Sequence, residues 1–213
     1  SKFLNTLKSI FAKIKNTYKK YADVITPTAV LSIICIVVTL ALSGTNLLTK
    51  DKITKLAELA RKDAMVKLVD ADEFVEKTQN LKVDKKNEKI TYNLAVKDKK
   101  TIAYIFTVDE QGYGGVVSVM TAVDTKGKVI AVDILDASNE TPGFGKNVTK
   151  ESFYTQYSGL KKGITVEKGG KADKDKNQIN AVTGATISST AVTTAVNQAI
   201  DFAAQIEAKG ENK

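Results

Sequence analysis

The hydrophobic positions of the chain form one long uncharged run and several shorter periodic segments. Residues 24–49 contain no Lys, Arg, Asp or Glu, and residues 29–42 are almost wholly apolar. A bilayer core of about 30 Å needs about 20 helical residues, so this run is long enough to span a membrane. A cleaved signal peptide has a shorter apolar run nearer its start, and a buried core helix is seldom this long. We therefore predict a transmembrane helix over residues 24–49.

Helical periodicity is present on both sides of this run. Residues 3–21 carry apolar side chains at helical spacing with lysines between them, which is typical of a basic amphipathic helix at a membrane surface or in a partner groove. A solvated basic tail is the alternative. The small and polar residues 43–46 loosen the pattern, and an apolar stripe among charges predicts a second helix from Lys50 to about Leu68.

The middle of the chain alternates with period two, which indicates strands. Residues 90–96, 102–108, 116–123 and 129–135 form four such segments, separated in part by turn sequences at residues 98–100 and 124–127. Residues 167–178 are rich in Lys, Gly and Asp and predict an exposed loop. An apolar stripe over residues 192–206 predicts a final helix. Strands followed by a helix favour an α+β fold, here one transmembrane helix plus a single soluble antiparallel-sheet domain over residues 50–213.

The net charge of +8 is concentrated near the start of the chain. Residues 1–28 hold six lysines against one aspartate, which leaves only +3 for the remainder. No basic patch interleaved with aromatic residues is present there, so we expect no nucleic-acid partner. Because short basic tails tend to stay inside, we predict a cytoplasmic tail over residues 1–23 and an extracytoplasmic domain over residues 50–213 of a cell-membrane protein.

The use of cysteine and histidine excludes several chemistries. The chain has no His, which excludes Ser-His-Asp and Cys-His catalysis and most zinc sites. Its single cysteine, Cys35, lies within the predicted membrane helix, so this chain alone can form neither an internal disulfide nor a cysteine-ligated cluster. We therefore predict no catalytic residue and no metal ligand.

A hydroxyl-rich turn precedes the last predicted helix. Asn180 begins a segment that continues through Thr183-Gly184-Ala185-Thr186 to Thr190. A helix N-terminus offers unpaired N–H groups and a partial positive charge, which together favour a phosphate. The alternative is structural, since Ser188 or Ser189 could serve simply as the N-cap of the helix.

Three motifs in this chain resemble one family. Thr183-Gly184-Ala185-Thr186 resembles the flavinylation motif of the FMN-binding domain found in the G subunit of Rnf electron transport complexes and in the C subunit of the sodium-pumping NADH:quinone oxidoreductase. Glu140-Thr141-Pro142-Gly143-Phe144-Gly145 resembles the Glu-Thr-Pro-Gly-Leu-Gly element of that family, and Gly112-Tyr113-Gly114-Gly115 resembles its glycine-rich turn. The three occur in the family's order. The chain departs from the pattern at Asn180, where the family usually has Asp.

The resemblance implies a cofactor and a role. A flavin transferase would join the phosphate of FMN to Thr186, making a covalent phosphoester. Thr183, Gly184 and Ala185 would surround the phosphate. The residues that would line the site around the rest of the flavin or hydrogen-bond to it are Tyr113, Glu140, Thr141 and Phe144. The expected function is that of an electron relay, the G subunit of an Rnf-type, ion-translocating ferredoxin:NAD oxidoreductase complex, which contacts the bilayer and the other membrane subunits.

The residues leave other functions open. The C subunit of the Na⁺-translocating NADH:quinone oxidoreductase is the alternative within the family. Asn180 keeps open a membrane-tethered binding or assembly module that lacks flavin, and a stand-alone flavin carrier is a further possibility. In none of these do we expect the chain to catalyse a reaction by itself, because it has no His and no convergent acid–base set. Where a flavin is bound, the flavin carries the redox chemistry.

Overall fold

A computed structural model of the protein describes residues 2–83 and 86–210, with the backbone alone described for residues 2–20. The predicted amphipathic face of residues 3–21 therefore lies almost wholly outside the described side chains. Asp84 and Lys85 also lie outside the described residues. The chain divides into two compact units, Ser1–Ala57 and Glu58–Lys213, which are considered separately below.

The first helix, α1, runs from Lys2 to Leu68 and is non-helical only at Tyr21 (φ −118°, ψ 17°). Its segment Tyr21–Leu68 is long and apolar enough to cross a membrane. The helix continues through residues 43–46, where the sequence pattern loosens, so the two helices predicted on either side of them are one. Hydroxyl groups along the apolar segment donate to carbonyls one turn earlier, as Thr39 does to Cys35 (2.7 Å) and Thr45 to Ala41 (2.9 Å). Such bonds satisfy polar side chains where no water is available.

The described strands of the second unit include a five-stranded antiparallel meander in which each strand pairs with the next. Its strands are β1 (Glu73–Val83), β2 (Lys86–Lys97), β3 (Lys100–Gln111), β4 (Val116–Asp124) and β5 (Val129–Asp136). The four predicted strands are thus confirmed, together with the α+β class. The strand β1 was not predicted, since its sequence alternates poorly and it lies at the sheet edge. The strand β2 begins at Lys86, four residues before the predicted start at residue 90.

One face of the sheet is covered by the last helix, α3 (Thr186–Lys209). Its buried residues follow the predicted helical stripe and pack against alternate residues of β3 and β4, including Phe106 and Val119. The ring of Phe202 lies 5.7 Å from that of Phe106. Each large apolar side chain buried here contributes about 1.5–3 kcal/mol. This core fixes the position of the start of α3 relative to the sheet.

The opposite face of the sheet is covered by the end of α1. The buried residues at this end are Ala64, Met65 and Leu68 of α1 and Val69 just after it. They pack against the strand side chains that point away from α3. The buried residues of the sheet in this cluster, several of them small, are Ala95, Ala103, Ile105, Met120 and Ala122. The domain is therefore a three-layer arrangement of helix, sheet and helix.

Short elements connect β5 to α3. They are a 3-10 turn at Gly145–Thr149, helix α2 (Glu151–Tyr154), a 3-10 turn at Thr155–Tyr157, strand β6 (Thr165–Glu167), a 3-10 turn at Lys174–Lys176 and strand β7 (Gln178–Asn180). The strands β6 and β7 pair in parallel. The predicted loop over residues 167–178 is therefore an exposed connection whose two ends belong to strands. Tyr157, which is buried, hydrogen-bonds Thr193 (2.8 Å), and burial raises the pKa of Tyr157.

Candidate functional site

A cavity of about 460 Å³ lies where the start of α3 meets two turns at the end of the sheet. Its lining consists of Tyr113, Glu140, Thr141, Phe144, Gly145, Gly184, Ala185, Thr186, Ile187 and Ser188. Every site residue predicted from the sequence lies there except Thr183. Thr183, which directly precedes Gly184, is exposed and lines two adjoining clefts. Three motifs that are distant in sequence thus meet in one place.

Backbone hydrogen bonds shape each of the three turns. The N–H of Gly112 donates to the carbonyl of Gly115 (2.8 Å), which closes the turn between β3 and β4. The carbonyl of Thr141 accepts from the N–H groups of Phe144 (3.2 Å) and Lys146 (3.1 Å). The N–H of Ala185 donates to the carbonyl of Val182 (3.0 Å) just before α3. The lining residues are therefore held by local structure before any ligand binds.

Glu140 joins these turns. Its side chain is 2% exposed, and its two carboxylate oxygens accept from different segments. The N–H of Gly114 donates to Oε1 (3.1 Å) and the hydroxyl of Ser188 donates to Oε2 (2.7 Å). Hydrogen bonds to a carboxylate are among the stronger ones in proteins. Glu140 thus fastens the glycine-rich turn to the first turn of α3.

The glycines around Glu140 allow its close approach. A Cβ atom added at Gly145 would lie 1.9 Å from Oε2 of Glu140, and one at Gly112 would lie 2.2 Å from Oε1. Neither distance is possible between real atoms, so these positions require glycine as long as Glu140 is buried there. This explains in physical terms why glycine occurs in both motifs that the sequence analysis identified.

Thr186 is the first residue of α3 and is half-buried. The N-cap residue is Ala185, and among the described residues no side chain caps the helix. Ser188 and Ser189, the alternative caps, have other partners: Ser188 donates to Glu140, while Ser189 accepts from the N–H of Val182 (3.0 Å) and donates to the carbonyl of Ala185 (2.9 Å). The first turn of α3 therefore has N–H groups that no side-chain cap occupies, and its positive end favours an anion.

Large apolar side chains surround the mouth of the cavity and face solvent. Tyr113 is 71% exposed, Phe144 is 54% exposed and Ile187 is 55% exposed. Gly184, whose φ is +75°, brings the backbone so close that a Cβ atom there would lie 2.9 Å from the Phe144 ring. A rim of this kind suits a flat aromatic ligand, because its rings would cover apolar surface that otherwise contacts water. The cavity volume is within the range of ordinary cofactor sites.

Asn180 lies outside the cavity and has structural partners. Its Oδ1 accepts from the N–H of Ala172 (2.9 Å), and its own N–H donates to Oε1 of Gln156 (2.8 Å). An aspartate offers the same acceptor oxygen. The departure from the family pattern at this position therefore keeps the observed hydrogen bond.

Ile187 and Ser188 also line the cavity, although the sequence analysis did not identify them as site residues. A signal for Ile187 was present in the sequence. It lies off the apolar stripe of α3, which includes Val192, Ala195 and Val196, and a large aliphatic residue off that stripe indicates a second surface. Ser188 offered no such signal, since a serine near a helix start is most simply interpreted as a cap.

Comparisons with known proteins agree with this geometry. Residues 112–201 match the model of the FMN-binding domain family. The chain is 36% identical over 174 residues to the G subunit of the proton-translocating ferredoxin:NAD(+) oxidoreductase complex of Clostridium ljungdahlii, covering 80% of this chain and 86% of that protein. It is 30% identical over 183 residues to the G subunit of the Na(+)-translocating ferredoxin:NAD(+) oxidoreductase complex of Acetobacterium woodii, covering 80% of this chain and 87% of that protein.

Two solved structures share the fold. The crystal structure of Shewanella oneidensis NqrC superposes with a TM-score of 0.51 over 62% of this chain and 69% of that one. The C subunit of the Na(+)-translocating NADH-quinone reductase of Parabacteroides distasonis superposes with a TM-score of 0.52 over 64% of this chain and 78% of that one. Both are 20% identical in sequence to this chain, so the likeness concerns the fold alone. The sequence relatives identify the branch: the chain belongs to the G-subunit family of the ion-translocating ferredoxin:NAD(+) oxidoreductase complexes.

Proposed function

We propose that this chain is the electron-relay subunit of a membrane-anchored, ion-translocating ferredoxin:NAD oxidoreductase complex of Rnf type, and that it carries FMN esterified through its phosphate to Thr186. The observation that carries the proposal is the placement of Thr186. This residue begins a helix without a side-chain cap and lines a cavity with an exposed aromatic rim. The family relatives named above support the role as a subunit of such a complex.

The residues of the cavity fit an FMN group in distinct ways. Oγ1 of Thr186 would form the ester bond to phosphorus as a flavin donor with an activated phosphate loses its leaving group, and the hydroxyl proton would pass to a base of the transferase or to solvent. The adjacent turn from Thr183 to Ala185 and the N-terminus of α3 would hold the phosphate oxygens. The rings of Tyr113 and Phe144 offer faces for the isoalloxazine. Thr141 offers a hydroxyl to the polar ribityl chain, and Glu140 keeps the turns together beneath it.

The bound FMN supplies the redox chemistry, and the protein sets its position and surroundings. A relay needs the flavin close to its redox partners, and a cavity with an exposed rim leaves one side of a bound ring open to a neighbouring subunit. The chain itself contributes no histidine for acid–base catalysis. Its part in the reaction is therefore to hold the cofactor between the other membrane subunits of the complex.

Maturation and orientation complete the proposal. A flavin transferase installs the FMN on Thr186. The short lysine-rich tail faces the cytoplasm and the flavin domain faces the exterior, because positive charge in short tails favours the inside. A covalent bond is useful on the exterior, where a dissociated FMN would be lost by dilution.

Substitution of Thr186 tests the attachment and the relay together. The full chain, coexpressed with a flavin transferase, should gain the mass of FMN less one water, and Thr186→Ala should abolish this gain. Thr190→Ala is the matched control, since Thr190 lies one turn along α3, is exposed and donates to the carbonyl of Thr186 (2.8 Å). In the assembled complex, Thr186→Ala should stop electron transfer and leave assembly intact.

Two results would contradict the proposal separately. A flavin mass gain that persists in Thr186→Ala would place the ester on another residue. An assembled Thr186→Ala complex that transfers electrons at the normal rate would refute the relay and leave the chain as an assembly module.

A further inference from the structure

Thr186 and Gly184 also line a second cleft, which adjoins the cavity described above. This cleft has a volume of about 480 Å³ and is lined by Lys168, Gly169, Gly170, Ala181, Val182, Thr183, Gly184 and Thr186. Most of these residues belong to the segment that leads into α3. The others come from the loop that follows β6, which we call the strap (residues 168–172). The strap thus borders the side chain to which the flavin is proposed to be attached.

The strap is held against this turn at both of its ends. Before it, the carbonyl of Glu167 accepts from the N–H of Ala181 (2.8 Å). At its end, the N–H of Ala172 donates to Oδ1 of Asn180 (2.9 Å). Both anchors are residues that lead directly into the turn. The position of the strap is therefore linked by hydrogen bonds to the position of Thr186.

The charge of the cleft is positive. Lys168 is the charged residue among those that line it, and no carboxylate is among them. Lys168 is exposed and forms no salt bridge with any residue of the described part of the chain. Gly169 and Gly170 have no side chains, so their backbone is open to the cleft. An ammonium group without an ion-pair partner beside open backbone is a suitable environment for an anion.

We propose that the strap binds the flavin phosphate, with Lys168 as its counter-ion. The inference rests on the proposed attachment of FMN to Thr186. The phosphate of that ester keeps one negative charge, and Thr186 borders both the cavity that takes the flavin and the cleft that contains Lys168. Lys168 is in this scheme a positioning residue: it orients the phosphate and takes no part in electron transfer. Asn180 acts through the strap, by holding its far end in place.

The experiment compares the reactivity of two lysines in two forms of the full chain in detergent. One form is flavinylated by coexpression with the transferase, and the other is Thr186→Ala, which should stay unmodified. Both are treated with a short acetylating reagent, and acetylation at each lysine is measured by peptide mass spectrometry. Lys168 should react about fivefold more slowly in the flavinylated form, the fold-change expected for a partly exposed ion pair. Lys171, in the same strap but outside the lining, is the internal control and should react equally in both.

Salt and two variants distinguish ion pairing from simple shielding. Raising the salt concentration to about 1 M shortens the screening length to about 3 Å and should restore the reactivity of Lys168. Asn180→Ala removes the acceptor for the N–H of Ala172 and should also restore it, whereas Asn180→Asp should keep the protection. Protection that survives both high salt and Asn180→Ala would overturn the ion pair.

The outcome for the strap is distinguishable from the outcome for the proposed function. Intact mass reports the attachment independently of lysine reactivity. A flavinylated chain with equal Lys168 reactivity in the two forms would overturn the role of the strap and leave the attachment standing. Absence of the flavin from Thr186 after coexpression would overturn both.

Discussion

The buried carboxylate of Glu140 allows the sharpest prediction about stability. Glu140→Ala removes the acceptor of the Gly114 N–H and of the Ser188 hydroxyl at once, and both donors lie within the site. A hydrogen bond to a charged group contributes about 1.5–3 kcal/mol, so the two together set a range of about 3–6 kcal/mol. Since the cavity beside Glu140 opens to solvent, water can replace part of this bonding. We expect a loss of about 3 kcal/mol.

The isosteric change Glu140→Gln should cost much less. The amide oxygen can still accept from the Gly114 N–H, and the amide nitrogen can donate to the Ser188 hydroxyl, which is able to accept. Only the charge is lost, so we expect a cost of about 1 kcal/mol. Glu88→Ala is the surface control, because Glu88 is exposed on β2, and its effect should stay within about 0.5 kcal/mol.

Thermal unfolding of the full chain in detergent measures these differences. The near-ultraviolet circular dichroism of the tyrosines reports the soluble domain. For a domain of this size 1 kcal/mol corresponds to about 2–4 °C, so Glu140→Ala should lower the Tm by about 6–12 °C and Glu140→Gln by about 2–4 °C. Equal Tm values for Glu140→Ala and Glu88→Ala would refute the view that Glu140 holds the turns together.

Three further predictions concern other features. Thr121 is fully buried and its hydroxyl has no hydrogen-bond partner among the described residues, so Thr121→Val should raise the Tm by about 2–4 °C, and a lower Tm would contradict this. Gly184→Ala forces a Cβ toward the Phe144 ring at a φ of +75°, so the intact mass should show much less flavinylation; full flavinylation would contradict it. Protease added outside intact cells should digest the domain beyond Lys50, whereas its complete protection would reverse the proposed orientation.

The fold could be predicted from the sequence wherever apolar residues recur with the period of a strand or a helix. The strands β2 to β5 and the helix α3 alternate or repeat clearly because each buries one face against a core. The strand β1 has no such pattern, since most of its residues are exposed at the edge of the sheet. Its position depends on distant partners: Gln205 of α3 accepts from the N–H of Lys82 (2.7 Å) and donates to its carbonyl (3.1 Å). Hydrogen bonds between residues so far apart in the sequence produce no periodic pattern in it.

The apolar helix differs from its prediction for a related reason. Gly44 and its polar neighbours have low helix propensity, and the pattern therefore indicated two helices on either side of them. In the structure the hydroxyls of Thr45 and Thr49 donate to carbonyls one turn earlier, so these residues satisfy their own polar groups within the helix. The low propensity of single residues therefore does not end the helix here.

The members of the site were predictable, but the contacts that each one makes were not. The motifs predicted Glu140 as a residue of the flavin site, and in the structure it lines the cavity at the start of α3. That both of its oxygens are taken by Gly114 and Ser188 depends on the packing of three turns, which spacing alone does not reveal. Lys168 is a stronger example. It belongs to a charged loop that resembles any solvated surface, and only the parallel pairing of β6 with β7 brings it to the cleft of Thr186.

Asn180 is a residue whose sequence pattern and structural contacts can be compared directly. As a sequence feature it is a departure that keeps a flavin-free module open, because the family usually has Asp at that position. In the structure its Oδ1 accepts from the N–H of Ala172 and so fixes the end of the strap beside the turn of Thr186. Asparagine and aspartate share that acceptor, which is why Asn180→Asp should keep the protection of Lys168. The substitution therefore keeps the hydrogen bond that holds the strap, so the departure from Asp does not by itself argue against the proposed anion at Thr186.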